Sequence, residues 1–195
     1  AQQKSFDTLE RRTQFDQNLC LTEADRERHS WYRSEWYRRP NEFDPGPAPL
    51  AVTIELVSSC NLSCSMCYTI TEEFQDSVVG VQRMLPWSVV TSIIDECAKL
   101  NVPSILFSWR GESSIYKSRD EEGVLRDLGD VFKYARDAGI LEITCLTHGQ
   151  LLTEKLIQKI VDAEPSWISF SIDGLDKAYN KIRKPTKKNA ASDNP

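Results

Sequence analysis

From residue 51 onward the chain alternates between two periodicities, and that alternation limits the folds open to it. AVTIELV (51–57) is β-branched and apolar, the pattern of a buried strand. PWSVVTSIIDECAKLN (86–101) reads as a helix, with Pro86 suited to the first turn and Val89, Val90, Ile93, Ile94 and Cys97 as its apolar stripe. SILFSW (104–109) is a second strand. GVLRDLGDVFKYARDAGI (123–140) reads as a helix with Leu125, Leu128, Val131, Phe132 and Ala135 on one face and Gly139 at its end. LEITCLT (141–147) is a third strand, TEKLIQKIVDAE (153–164) a helix capped by Thr153, and WISFSID (167–173) a fourth strand. DKAYNKIRK (176–184) opens a further helix. Strand-then-helix units joined by short loops imply parallel pairing, and right-handed crossovers curl the sheet one way. The expected fold is therefore α/β, with a parallel sheet covered by helices.

The first fifty residues have another character. LTEADRERHSWYRSEWYRR (21–39) is charged and aromatic. Thr22 can cap a helix whose first turn holds Glu23 and Asp25, where the helix dipole favours acids, and Pro40 is expected to stop it. NEFDPGPAPL (41–50) is a linker by composition. The expected organisation is a helical extension and linker over 1–49, the α/β body over 50–185, and a polar tail over 186–195. Trp31, Tyr32, Trp36 and Tyr37 are expected to pack the first helix onto the body, with a partner or substrate surface as the alternative.

The chain has 195 residues, enough for one domain with a core. With 40% hydrophobic and 27% charged residues, it has the make-up of a globular protein. A net charge of −5 with both signs dispersed argues against a nucleic-acid surface. No apolar run reaches the roughly 18 residues of a membrane span, and AQQKSFDTLERR lacks the apolar stretch of a signal peptide. A reducing, cytoplasmic setting is the expectation, so the six cysteines are read as metal-binding or buried rather than as disulfides.

In parallel α/β folds the chemistry gathers at the carboxyl ends of the strands. Here the four ends run into SSCNLSCSMCY (58–68), SWRGES (108–113), THGQ (147–150) and SIDG (171–174). The first holds Cys60, Cys64 and Cys67 at C-x3-C-x2-C spacing. Structural zinc wants four ligands, yet there is no second short pair, and His29 and His148 lie far off in sequence. A four-iron cluster held by three thiolates leaves one iron open, able to take a small molecule through an amine and a carboxylate. Cys20, Cys97 and Cys145 read as small buried hydrophobes.

These motifs, in this order, resemble the radical S-adenosylmethionine (radical SAM) enzymes from about Ala51 to Arg183. The resemblance implies a partial (β/α)6 barrel of parallel strands with outer helices. It also implies that Cys60, Cys64 and Cys67 hold a [4Fe-4S] cluster whose open iron takes the amine and carboxylate of S-adenosyl-L-methionine. Met66 occupies the place of a large apolar residue whose backbone helps hold the adenine. Arg110-Gly111-Glu112 stands for the family's Gly-Gly-Glu: Glu112 would accept hydrogen bonds from the ammonium, and Gly111 would let the backbone approach. Arg110 replaces the first glycine, and Ser113 stands where proline is common. Thr147-His148-Gly149 stands for Thr-Asn-Gly, leaving His148 two readings, a ligand contact or a hydrogen bond within the loop. Ser171 is implied as a contact to the methionine carboxylate or ribose, and Arg183 as the partner of that carboxylate. Asp173 either aids the ligand or caps the next turn.

The implied reaction is reductive cleavage of the cofactor to methionine and a 5′-deoxyadenosyl radical, which abstracts hydrogen from a peptide, protein or small metabolite. An external one-electron donor is implied. The motif spacing resembles the SPASM-type subgroup, whose C-terminal extension carries auxiliary clusters. The chain is read as stopping after the fourth strand where the family's barrel has two more, so an open sheet edge and association through it are expected. The competing readings are a truncated, non-catalytic iron–sulfur or metal-binding module, and a scaffold acting through its aromatic first helix.

Overall fold

The computed structural model describes residues 22–77 and 83–185. Cys20 and the tail 186–195 lie outside them. Helix α1 (Glu23–Glu42) starts with the cap expected of Thr22, whose hydroxyl accepts from the Asp25 N–H while Asp25 accepts from the Thr22 N–H. Pro40 does not stop it. The proline falls in the last turn, where its missing N–H costs a single ladder bond, and the chain leaves the helix only at Phe43, in the left-handed region (φ 53°). Arg38 spans the proline through ion pairs to Glu35 before it and Glu42 and Asp44 after it. Arg39 turns back to the linker and donates to the Ala48 carbonyl at 2.7 Å. The packing expectation for the aromatics holds fully for Tyr32 alone, which is 2% exposed; Trp31, Trp36 and Tyr37 are about half exposed.

The body is a four-stranded parallel sheet in the order β1 (Ala51–Thr53), β2 (Ser104–Leu106), β5 (Glu142–Thr147), β6 (Trp167–Phe170). Val52, Ile105 and Ile143 lie in one row across the first three. Helices α3 (Trp87–Lys99), α4 (Leu128–Asp137) and α5 (Glu154–Asp162) follow successive strands and pack side by side. Their stripes meet the sheet in one core that includes Val90, Ile94, Phe107, Phe132, Ile143 and Leu156. The cysteines on these elements behave as expected of small hydrophobes: Cys97 and Cys145 are buried and unpaired with any other cysteine. α2 (Glu72–Ser77) follows the cysteine loop, and α6 (Asp176–Ile182) follows β6.

The second and fourth strands end at Leu106 and Phe170, short of 109 and 173, and two further sequence expectations need correction. The first strand is shorter than 51–57. After Thr53 one more bond reaches β2, from the Ile54 N–H to the Leu106 carbonyl at 2.9 Å, and Leu56 and Val57 then pair with the stretch entering α3 (Leu85 N–H to Leu56 O, 3.0 Å; bridge Val57 to Met84). Its apolar character reports burial, not ladder pairing. The second is the helix placed over 123–140, which begins only at Leu128. Residues 117–127 form an antiparallel hairpin, β3 (Lys117–Arg119) with β4 (Leu125–Asp127). Asp120 closes its turn by accepting from the N–H groups of Glu122 and Val124, with Gly123 at φ +80°. Leu125, assigned to the helix's apolar face, is a half-exposed strand residue.

Among the described residues no helix is long and apolar enough to cross a membrane.

Candidate functional site

A cavity of ≈ 270 Å³ opens at the carboxyl ends of the parallel strands. Cys60, Cys64, Met66, Cys67, Gly111, Glu112, Ser171 and Arg183 all line it. Residues far apart in sequence, singled out from the cysteine spacing, the strand ends and the family resemblance, therefore meet at one place. Asp173 is the exception and reaches the site only through its ion pair with Arg183. Size does not pick this site. A larger groove of ≈ 580 Å³ between the end of α1 and the start of β1 is lined by Trp36, Phe43 and Leu50 and holds no thiol.

The cysteine loop is shaped by short internal bonds and by a distant clamp. Cys67 N–H bonds the Cys64 carbonyl at 2.9 Å, and Leu62 N–H points at the Cys60 sulfur at 3.4 Å. Ser63 N–H and Ser65 N–H bond the carbonyls of Lys184 and Ile182, so the stretch that ends α6 holds the loop from outside. Arg183, in that stretch, approaches the Cys64 sulfur to 3.8 Å. Burial pushes the Cys60 thiol up to about 11, and burial likewise raises Cys64. Without metal, thiols so placed keep their protons near neutrality, and binding iron would release them. Among the described residues no three His, Cys, Asp or Glu gather tightly enough for one metal ion. A multi-iron cluster suits this arrangement better, because each thiolate takes its own iron.

The loop after β2 is locked onto the cysteine loop. Glu112 N–H bonds the Ser59 carbonyl at 3.0 Å. Gly111 sits at φ +67°, and a Cβ there would stand 2.6 Å from the Ser59 oxygen and closer still to that of Val57. Only glycine fits this approach. Arg110, in place of a glycine, pairs with Glu55 and lies 5.3 Å over the Phe74 ring. Ser113 turns inward and donates to the Phe107 carbonyl at 2.8 Å.

Glu112 is the hub of the site, with 3% of its surface exposed. One carboxylate oxygen accepts from the Ser114 N–H (3.1 Å), the Ser114 hydroxyl (2.6 Å) and the Thr147 hydroxyl; the other accepts from the His148 N–H (3.0 Å). Three of these four donors crowd one oxygen, and the other oxygen accepts the His148 N–H. His148 is also buried. Its Nδ1 accepts from the Gln150 N–H at 3.1 Å, and its Nε2 lies 2.8 Å from the Asn61 side-chain oxygen. Burial holds its pKa below the usual imidazole value, against the pull of Glu112. Asp173 bonds Arg183, and α6 has no side-chain cap, so its carboxylate is spent on the arginine rather than on the turn. Sequence reasoning missed Thr147 and Ser114 as partners of Glu112, and Asn61 as the partner of His148. Thr147 stood in a strand-end motif, but Asn61 and Ser114 carried no local signal.

Three thiols, a glycine cradle, one carboxylate (Glu112) and one guanidinium (Arg183) around a single cavity suit a thiolate-held iron cluster beside a zwitterionic small molecule.

Comparison with known proteins agrees. The sequence model of a family described as the Radical SAM superfamily matches residues 54–193. The Fe-coproporphyrin III synthase of Methanosarcina barkeri (strain Fusaro / DSM 804) is 27% identical over 142 residues, covering 73% of this chain and 31% of that protein. The AdoMet-dependent heme synthase of the same organism is 29% identical over 129 residues, covering 66% of this chain and 32% of that protein. The chain thus spans about a third of the length of the curated relatives it matches. In fold it is similar to native anSMEcpe with bound AdoMet (TM-score 0.53, 19% identity, 71% of this chain and 36% of that one). It is also similar to BtrN in complex with AdoMet and 2-DOIA (TM-score 0.51, 15% identity, 69% of this chain and 50% of that one).

Proposed function

The chain belongs to the radical SAM superfamily, and from that membership we propose that it binds a [4Fe-4S] cluster through Cys60, Cys64 and Cys67 and reductively cleaves S-adenosylmethionine. The observation that carries this reading is the convergence of the three thiols on one cavity with Glu112, Ser171 and Arg183. A cluster held there and reduced by an external one-electron donor would supply the electron for reductive cleavage of S-adenosylmethionine to methionine and a 5′-deoxyadenosyl radical.

The chain's own residues bind and orient. Cys60, Cys64 and Cys67 would hold the cluster, and with three thiolates on four irons a place would remain for the amine and carboxylate of S-adenosylmethionine. Arg183, held by Asp173, offers its guanidinium to that carboxylate, and Ser171 offers a hydroxyl to the carboxylate or the ribose. Gly111 lets the backbone come close, and the backbone at Met66 faces the adenine. Glu112 serves the ammonium. The oxygen that accepts the His148 N–H carries fewer donors than the other and is the one open to the new donor.

The hydrogen donor enters from the open side of the cavity, where Trp109 and Leu146 offer exposed apolar surface. The names of the two curated relatives make an iron porphyrin the first compound to titrate.

Anaerobic reconstitution with iron and sulfide tests the proposal. About four irons per chain are expected, and Cys64→Ala should abolish the brown colour. Adding reductant and S-adenosylmethionine should then yield 5′-deoxyadenosine. A full cluster that never yields this product would leave the chain a non-catalytic iron–sulfur module.

A further inference from the structure

We propose that His148 is a positioning residue for the iron-binding loop, holding Asn61 beside Cys60 against the Glu112 hub. The proposal rests on the reading of that loop as the cluster's holder. The hydrogen bonds fix the ring's state. The Gln150 N–H can only donate, so Nδ1 accepts and the proton of the neutral ring sits on Nε2. Nε2 then donates to the Asn61 side-chain oxygen at 2.8 Å, with the Glu112 carboxylate 3.3 Å away as a second acceptor. Both ring nitrogens are therefore committed to protein, and neither is offered to iron or to a bound molecule. Of the two roles open in the sequence, contact with ligand or support of the loop, the geometry favours support.

The support acts where it matters. Asn61 lies between Cys60 and Leu62, and the Leu62 N–H bonds the Cys60 sulfur. A movement of Asn61 carries that thiol and its donor together. The His148 backbone N–H meanwhile holds Glu112 at 3.0 Å. One residue thus couples the loop after β5 to the loops after β1 and β2, across 87 positions of sequence.

The test compares His148→Ala, Asn61→Ala, their double variant and His148→Gln, whose amide N–H can replace the Nε2 donor. In the full chain without iron, amide hydrogen exchange across residues 58–68 should quicken roughly three- to tenfold in either alanine variant, the worth of about one hydrogen bond. The double variant should be no faster than His148→Ala alone, and His148→Gln should stay near wild type. Exchange in α4 should not change. In the reconstituted protein, iron loss to a chelator should quicken in the same order, and the electron paramagnetic resonance signal of the reduced cluster should shift in the alanine variants but not in His148→Gln. Unchanged exchange in His148→Ala, additive effects of the two alanine changes, or a rise spread evenly over the sheet would overturn the proposal. If wild-type protein takes up no iron, the cluster reading fails, while the exchange data still decide the role of His148.

Discussion

Gly111 and Glu112 carry the site's tightest constraints at the scale of single residues. At Gly111 the backbone is left-handed and two carbonyl oxygens occupy the place of a Cβ. Gly111→Ala should therefore destabilise the chain by roughly 2–3 kcal/mol, from the strained φ and the clash together. A fall in the urea midpoint measures it, and an unchanged midpoint would show that the loop after β2 can move away from Ser59. At Glu112 the four donors need an acceptor-only partner. Glu112→Gln turns one arm into a donor facing other donors and should cost about 1–3 kcal/mol in thermal stability even without any cofactor. A solvated glutamate at this position would show no such loss.

At the scale of elements, the body depends on how α4 begins. Asp127 caps it, accepting from the Gly129 N–H at 3.1 Å and the Asp130 N–H at 3.4 Å, and Lys159 of α5 joins at 2.9 Å. Burial alone would raise the Asp127 pKa, but the hydrogen bond and charge of Lys159 outweigh it and hold the carboxyl below its ordinary value. A carboxyl with a depressed folded pKa stabilises fully above the unfolded value and loses that contribution as pH falls through the folded one. Asp127→Ala should thus cost about 1–2 kcal/mol at neutral pH, and the gap to wild type should narrow below about pH 4. Urea titrations at the two pH values check the sign. The same region shows why boundaries were harder to read than elements. Leu125 and Leu128 fit one helical stripe, yet the Asp120 turn and its Gly123 commit residues 125–127 to a hairpin first. Turn chemistry won over periodicity, and its signal, Asp-Glu-Glu-Gly (120–123), was present in the sequence.

For the whole molecule, the sheet edge is decisive. Among the described residues β6 pairs with β5 alone, and Phe170, Ile172 and Leu175 stand exposed at and just beyond this strand. An apolar open edge is a template for further pairing. The 195-residue chain by itself is expected to associate in a concentration-dependent way, and Ile172→Lys should shift it toward monomer. Sedimentation velocity over a hundredfold range of concentration checks this, and a concentration-independent monomer would contradict it.

Some of this was settled by sequence because the cause is local. Strand and helix order follows from which face of each segment is apolar, and the cysteine motif from the reach of neighbouring thiols on one turn of chain. Gly111 and Glu112 stood in a strand-end turn, and the family resemblance singled them out there. What sequence could not hold is what depends on long-range approach. The bonds from Ser63 to Lys184, from His148 to Asn61, and from Thr147 and His148 to Glu112 exist only once strand ends remote in sequence are brought together. A side chain such as Asn61 carries no pattern of its own, and its role follows from the partner that folding places within hydrogen-bonding distance.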